Sequence, residues 1–315
     1  MSCATLSQEE TKILNETLFE KLASNDAGMK KEAIDAINDF TRLKVREDSF
    51  FYKIMPPLTI TNDDLDRQVD TEKPVKVVDF ESDSPAAISV PFASLPVNYY
   101  LRGRRYLVHL ARILTPRATK DVDELRTWIL DVRQVFSDNA IKDIAVEHDR
   151  KFIGAVDSML VGPGTTLPYS GTVQYQQGGG GIGRESLWDS LMVMPETPFS
   201  LETHTCLVNH ITIKELCKMG FDEMGGSFSE DIMRKGWSEQ DFAGVRWIIT
   251  IKKTLVPKMH QYMFADPKFI GKHYLLEDTT MYIRREAYML EFFAYLTSGA
   301  TLAHPGGLAH YDYTA

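Results

Sequence analysis

The sequence predicts an α+β fold with an elongated or flat subunit. Three observations support this: a long segment with helical spacing, an arm of short β-prone runs, and a mixed region of short helices and strands. The long segment, residues 119–161, would form a helix about 65 Å long at about 1.5 Å per residue. A compact sphere of this chain length has a diameter of only about 50 Å, so the helix does not fit inside it.

The long helix is predicted from apolar residues that recur every three or four positions. These residues are Val122, Leu125, Ile129, Val132, Phe136, Ile141, Ile144, Phe152, Val156 and Met159. The Ser-Asp-Asn sequence at residues 137–139 favours caps and turns, so a break at that point is the main alternative. We expect a strand over residues 104–114 to lead through a Thr-Pro pair into the helix.

The segment before that strand lacks the apolar content for a core of its own. Residues 7–24 and 29–47 read as two polar helices, and residues 75–81 and 86–92 read as a two-stranded arm around a turn. The apolar residues of the arm are Val77, Phe80, Ile88 and Phe92. Isolated hairpins are marginally stable in water, so we expect this arm to rest on a neighbouring subunit.

The rest of the chain is predicted as short, mixed elements. Helices are expected at residues 184–194 and 213–218, and a strand is expected at residues 245–252. From residue 281 onward the sequence is rich in aromatic residues. This arrangement predicts a second region beside the long helix.

Composition excludes several classes of function. The chain of 315 residues has a net charge of −9, which argues against a protein that mainly grips phosphate backbones, although Arg102, Arg104 and Arg105 form a local basic cluster. No apolar run approaches the roughly 20 residues needed to cross a bilayer, and the N-terminus lacks the parts of a signal peptide. The 3 cysteines are scattered and predict free thiols in a cytosol-like compartment.

Residues 178–183, GGGGIG, formally match the GxGxxG pattern of a dinucleotide-binding loop between a strand and a helix. Four consecutive glycines match this pattern by default, and the preceding strand is polar. A Walker motif also fails, because Arg184 and Glu185 occupy its Lys and Ser/Thr positions. A surface loop that tolerates polar residues is favoured over a phosphate cradle.

Two other groups of residues are candidates for chemistry. His204, Cys206 and His210 could supply zinc ligands, but no fourth ligand follows at a familiar spacing, which favours a partly buried strand that leads into a helix. The triplet at residues 147–149, Glu-His-Asp, cannot converge on one substrate, because consecutive helical positions point about 100° apart. We interpret it as a solvated or intersubunit helix face. No catalytic, cofactor or metal site is predicted.

The order of elements resembles a known family. Five stretches of sequence look like sequences found in that family: residues 102–106 (RGRRY), 147–152 (EHDRKF), 208–212 (VNHIT), 264–271 (FADPKFIG) and 304–309 (HPGGLA). With the polar N-terminal segment, the arm and the long helix, they resemble the tailed-bacteriophage major capsid protein, or Johnson, fold. The resemblance covers nearly the whole chain.

The resemblance implies a division of the chain. Residues 1–48 would be an N-terminal arm, and residues 49–97 would be the extended loop. Residues 98–163 would form the peripheral domain with its spine helix, to which residues 279–315 would return as strands. Residues 164–278 would form the axial domain.

The resemblance also implies a structural function without catalysis. The protein would assemble with itself into hexamers and pentamers of an icosahedral shell in the host cytoplasm, and the virion shell would enclose double-stranded DNA without sequence-specific binding. Portal, scaffold or decoration proteins are further candidate partners, and no membrane is implied. One alternative is an encapsulin-type nanocompartment shell, and the other is a nucleotide-binding enzyme that uses residues 178–183.

Overall fold

The computed structural model describes residues 49–66, 72–81, 87–92, 98–100, 102–121, 132–216, 239–242 and 244–314. The helices in these ranges are α1 (Phe50–Ile54), α2 (Val132–Leu160), α3 (Arg184–Met192), α4 (His210–Leu216) and α5 (Pro267–Ile270). The strands are β1 (Leu58–Thr59), β2 (Val75–Phe80), β3 (Arg104–His109), β4 (Ala111–Leu114), β5 (Ala118–Asp121), β6 (Tyr175–Gln177), β7 (Thr205–Asn209), β8 (Glu239–Phe242), β9 (Val245–Thr250), β10 (His260–Phe264), β11 (Gly271–Glu286), β12 (Met289–Leu302) and β13 (Leu308–Asp312). The helices predicted at residues 7–24 and 29–47 lie outside the described residues.

The strands form three sheets. One has the order β1-β11-β12-β4, with β5 also paired to β12, and a six-stranded sheet has the order β6-β13-β10-β7-β9-β8. The third sheet contains β2 and β3. Strands β7 and β13 of the six-stranded sheet are buried at every position, as expected for strands covered on both faces.

Helix α2 joins the cores of the two larger sheets. Ala140 and Ile144 in its first half pack with residues of β12 such as Leu290 and Phe292. Its second half, including Phe152 and the neighbouring apolar residues Ile153, Val156 and Leu160, belongs to the core of the six-stranded sheet. Each such side chain contributes about 1.5–3 kcal/mol on burial, so the helix is held against both sheets.

The long helix is confirmed, but its predicted start is wrong. Helix α2 has 29 residues and runs through residues 137–139 without a break, which corresponds to about 43 Å. Residues 118–121 form β5, which pairs antiparallel with β12 from Ala118 opposite Phe292 to Asp121 opposite Met289. The open edge of β12 provides hydrogen-bond partners that the local helical pattern does not reveal. Residues 122–131 lie outside the described residues.

The strand predicted at residues 104–114 divides in two and does not lead directly into α2. At Leu110 the backbone N–H donates to the carbonyl of Pro74, so β3 pairs with β2 while β4 pairs with β12. Strand β5 then follows before the helix. The sequence pattern is continuous across this point, because only the change of partner divides the strand.

The first strand of the predicted arm is confirmed, but its predicted partner strand is wrong. Strand β2 pairs antiparallel with β3, from Val75 opposite His109 to Phe80 opposite Arg104. Residues 87–92 contain no strand. Pro91 lacks the N–H group that a ladder needs, whereas β3 contains no proline, so β3 is the better partner.

The later predictions are mostly confirmed with shifted ends. Helix α3 and strand β9 lie where expected, and helix α4 begins at His210, three positions before its predicted start. The long strand β11 crosses the domain boundary expected after residue 278, and β13 lies in the six-stranded sheet. No helix in the described part of the chain is long and apolar enough to span a membrane.

Candidate assembly surfaces

The stretch at residues 87–92 exposes large apolar side chains. Ile88, Val90 and Phe92 have 69%, 47% and 105% of their surface exposed. The three residues alternate with Ser89 and Pro91, which is the spacing that places side chains on one side of an extended chain. An exposed apolar stripe of this kind is typical of a surface that binds a partner.

The root of the arm is held by its own subunit. Val75 is fully buried, and the ring of Phe80 packs edge-on against Tyr106 at 5.6 Å and His304 at 5.9 Å. Val77 is also half-buried. The expectation that Val77 and Phe80 lack contacts in their own subunit is therefore wrong. Of the four apolar residues predicted for the arm, Ile88 and Phe92 are the two that remain exposed.

An aromatic and basic cleft lies beside this root. It encloses about 600 Å³ and is lined by Phe80, Glu81, Tyr99, Tyr100, Arg102, Gly103 and Arg104. We call it the arm-root cleft. Arg105 forms an ion pair with Asp79 at 2.9 Å, whereas Arg102 and Arg104 have no ion pair with any residue that the structure describes. Within the described residues the cleft therefore presents two arginines without an ion pair, beside one carboxylate, that of Glu81.

Helix α3 presents an exposed ridge of opposite charge. Leu187, Ser190 and Leu191 are buried against the core. The other side carries four residues with the spacing of one helix face, which we call the α3 ridge. They are Glu185, Trp188, Asp189 and Met192. About half of the Trp188 surface is exposed, which is unusual for the largest side chain.

The loop at residues 178–183 is packed against the subunit at its two ends, while Gly180 and Gly181 have open space around them. The amide N–H of Gly183 donates to Ser186 Oγ at 2.8 Å, so this helix-start donor is already used. Gly178 lies against Tyr311, whose hydroxyl oxygen would be 2.1 Å from a Cβ atom at that position. The expected tolerance of polar residues is therefore wrong at Gly178, because a buried ring occupies the space.

We expect Gly178→Ala to destabilise the subunit. The added carbon would displace Tyr311, which is only 4% exposed, and such overpacking costs about 1–3 kcal/mol. Gly154→Ala in α2 is the control, because nothing lies within 4 Å of its Cβ position and alanine favours helix. Urea unfolding should show a loss for the first variant and a small gain for the second. Equal midpoints would contradict the packing described for Gly178.

The triplet at residues 147–149 is not a solvated face, contrary to the prediction. Glu147 points outward to Arg150 at 2.8 Å, but His148 and Asp149 are buried. His148 Nε2 lies 3.1 Å from Ser298 Oγ in β12. The side chains do point in different directions, as the helical spacing predicts.

Asp149 joins three parts of the chain. Its carboxylate accepts hydrogen bonds from Ser49 Oγ at 2.6 Å and from the Phe51 N–H at 3.1 Å. Lys252 Nζ, after β9, lies 2.6 Å from the other oxygen. Burial raises the pKa of Asp149, and the Lys252 ammonium and the hydrogen bonds oppose that effect. The segment after residue 48 is thereby tied to α2 and to the six-stranded sheet.

Aromatic rings surround this junction. The ring of Phe51 lies 4.8 Å from that of His148, 4.5 Å from that of Phe152 and 4.3 Å from that of His273. Burial lowers the pKa of His148 to about 3 and that of His273 to about 4. Both imidazoles are therefore neutral near pH 7 and act as core residues.

A second histidine cluster fixes the end of α2. The ring of His310 stacks between Tyr175 and Tyr262 at 4.1 Å from each, and its Nε2 lies 2.9 Å from His260 Nδ1. Burial lowers the pKa of His310 to about 3. Burial raises the pKa of Asp157 in α2, and its hydrogen bond with Tyr262 opposes this. The cluster holds the helix on the six-stranded sheet.

The zinc candidates lie along a strand that leads into a helix, as predicted, but His204 precedes strand β7 and the strand is fully buried. Cys206 is buried in β7, and burial raises the pKa of its thiol. His204 Nδ1 lies 3.0 Å from Thr205 Oγ1, and His210 begins α4. In the described part of the chain, no three His, Cys, Asp or Glu side chains are grouped to hold a metal ion.

The arm-root cleft and the α3 ridge were not predicted from the sequence. The signal for the cleft was the pair Tyr99 and Tyr100 directly before the basic cluster. For the ridge, Trp188 and Met192 share a helix face, but an apolar pair at that spacing usually marks a buried face. The sequence does not show which face of the helix is buried; in the structure Leu187 and Leu191 form the buried face, which leaves Trp188 and Met192 exposed.

The sequence matches no protein-family model and no curated protein. Solved structures do match. The cyanophage Pam1 capsid has a TM-score of 0.60 and 10% identity, over 85% of this chain and 92% of that one. The capsid of an empty GTA particle has a TM-score of 0.59 and 11% identity, over 86% and 91%. The chain has the Johnson fold.

A virus-like particle from Pyrococcus furiosus shares the Johnson fold with a TM-score of 0.55 and 11% identity, over 89% of this chain and 100% of that one. At such identities the likeness shows the fold alone. It confirms the fold class expected from the order of elements. Helix α2 corresponds to the expected spine helix.

Proposed function

We propose that this protein is the major capsid protein of a tailed phage. Its subunits would form hexamers and pentamers of an icosahedral shell that encloses double-stranded DNA. The proposal is supported by the Johnson fold and by the capsid structures that share it. On this proposal the working parts are interfaces rather than an active site.

The observation that carries the proposal is the apolar stripe at residues 87–92. Phe92 is fully exposed and Ile88 is mostly exposed, although each would contribute about 1.5–3 kcal/mol on burial. A monomer gains nothing from this arrangement. A repeated contact with a neighbouring copy would bury the stripe many times in one shell, and multivalency makes such contacts strong together.

The remaining parts of the proposal follow from the shell. Residues 1–48 would be the N-terminal arm, 49–97 the extended loop, 98–163 with 279–315 the peripheral domain, and 164–278 the axial domain. The protein would reside in the virion after assembly in the host cytoplasm. Its net charge of −9 suits a container that encloses DNA without binding it tightly. Portal, scaffold or decoration proteins are further proposed partners.

Electron microscopy of the purified full-length protein tests the proposal. We expect capsomers, closed shells or tubes, and light scattering should show them above a threshold concentration. Coexpression with a scaffold gene from the same genome is the second condition. Monomers alone under both conditions, across salt and protein concentration, would contradict a capsid function.

An encapsulin-type shell is the second candidate, because the Pyrococcus furiosus particle shares the fold. The two functions differ in what the shell encloses. Nuclease-protected DNA inside particles from infected or induced cells supports the capsid, whereas a co-purifying cargo protein supports the nanocompartment. The nucleotide-binding alternative loses support, because the Gly183 N–H at the helix start is already bonded to Ser186 Oγ and Tyr311 lies against Gly178.

A further inference from the structure

The arm-root cleft has the composition of an interaction hot spot. Tyr99 and Tyr100 are 59% and 83% exposed, and Arg102 and Arg104 are exposed at the same cleft. Tyrosine and arginine are enriched at the residues that dominate interface energetics. Phe80 fixes the floor through its contacts with Tyr106 and His304, so the cleft is held in place.

The α3 ridge is its complement in charge. Glu185 and Asp189 present two negative charges. Trp188 lies between them in the sequence and Met192 follows them, and all four are on the same exposed face. Neither acid has an ion pair with any part of the chain that the structure describes. A convex helix with an apolar centre fits a concave cleft, and tryptophan stacks favourably with arginine and tyrosine.

We infer that the arm-root cleft of one copy receives the α3 ridge of a neighbouring copy. The inference rests on the proposed self-assembly and names one contact that would hold a capsomer together. Two arginines would face two carboxylates, and the Trp188 ring would enter between Tyr99 and Tyr100. Both charge patches and both sets of exposed aromatic rings are then explained by one contact.

The occupant is a second copy because both halves of the contact lie on the same chain. A contact between two different surfaces is heterologous, and repeated around an axis it closes a ring. Nucleic acid could bind the basic cleft through phosphate, but it would leave the acidic ridge and Trp188 without a role. The opposite charges also set the register of the two copies and disfavour cleft-to-cleft pairing.

A charge-swap experiment on the full-length protein tests this contact. The cleft reversal is Arg102→Glu with Arg104→Glu, the ridge reversal is Glu185→Lys with Asp189→Lys, and the swap combines all four. We expect each reversal to raise the protein concentration needed for capsomers at least tenfold in sedimentation velocity. The swap should restore assembly, because the facing charges are again opposite. A cooperative melt checks that each variant is folded.

The matched control combines the cleft reversal with Asp143→Lys and Glu202→Lys. These two acids are exposed elsewhere, so the control has the same net charge as the swap. We expect it to remain defective, which would exclude a general charge effect. Equal recovery in the control and the swap would overturn the inference, as would a reversal that assembles like the parent.

Two further outcomes distinguish a failure of the cleft-to-ridge contact from a failure of the proposed shell function. If the parent assembles and both reversals do too, the contact is wrong but the shell function stands. If the parent stays monomeric, the shell function and the contact both fail. Nuclease treatment that dissolves parent capsomers, with no effect of the ridge reversal, would assign the cleft to nucleic acid and overturn the contact.

Discussion

Replacing Asp149 with alanine is expected to lower the free energy of unfolding by about 3 kcal/mol, because removing one partner of a buried ion pair leaves the other uncompensated. The Asp149 side chain is 0% exposed and that of Lys252 is 22% exposed. Ser49 Oγ and the Phe51 N–H would also lose their acceptor. Urea unfolding of dissociated subunits would measure the change.

Asp143→Ala on the exposed face of α2 is the matched control and should change the free energy of unfolding by less than about 0.5 kcal/mol. The variant Lys252→Met, alone and with Asp149→Ala, completes a double-mutant cycle. We expect the double variant to lose less stability than the sum of the single losses. Additive losses would show that Asp149 and Lys252 do not interact in the folded subunit.

The pair Ile88→Ser and Phe92→Ser is expected to abolish closed particles and leave the subunit stable. Two apolar side chains at about 1.5–3 kcal/mol each would remove on the order of 3–6 kcal/mol of contact free energy per subunit, before ordering costs. Because both side chains are exposed in the subunit, its melting temperature should not fall. Light scattering and calorimetry would measure the two effects separately.

The control for this pair is Val161→Asn with Ile251→Ser, which removes two exposed apolar side chains outside the arm. Val161 has φ of 63°, a conformation that asparagine tolerates better than valine. We expect this variant to form particles. Normal particles from the Ile88 and Phe92 variant would show that the stripe is not an assembly surface, and unfolding of the variant would place the stripe in the subunit core.

The sequence predicted the elements that depend on local periodicity. Helix α3 and strand β9 lie where the pattern placed them, and helix α2 covers residues 132–160 of the predicted 119–161. The errors lie where a distant partner decides the structure. Strand β5 exists because β12 offers an open edge, and β2 pairs with β3 because residues 87–92 contain Pro91.

Function-related residues were harder to predict for the same reason. Asp149 can be buried because its carboxylate pairs with Lys252, which is 103 positions away in sequence. The space around Gly178 is set by Tyr311 at the other end of the chain. The exposed apolar stretch around Ile88 and Phe92 could be predicted, since the segment before β3 carries too few apolar residues for a core of its own. Its exact apolar surface required the pairing of β2 with β3.

The central claim is that residues 87–92 are buried by another copy of this chain. Cryo-electron microscopy of assembled particles, at a resolution that shows side chains, tests it most directly. We expect Ile88, Val90 and Phe92 to contact a neighbouring subunit and to lose most of their exposed surface. Particles in which these side chains remain in solvent, or fold back onto their own subunit, would contradict it.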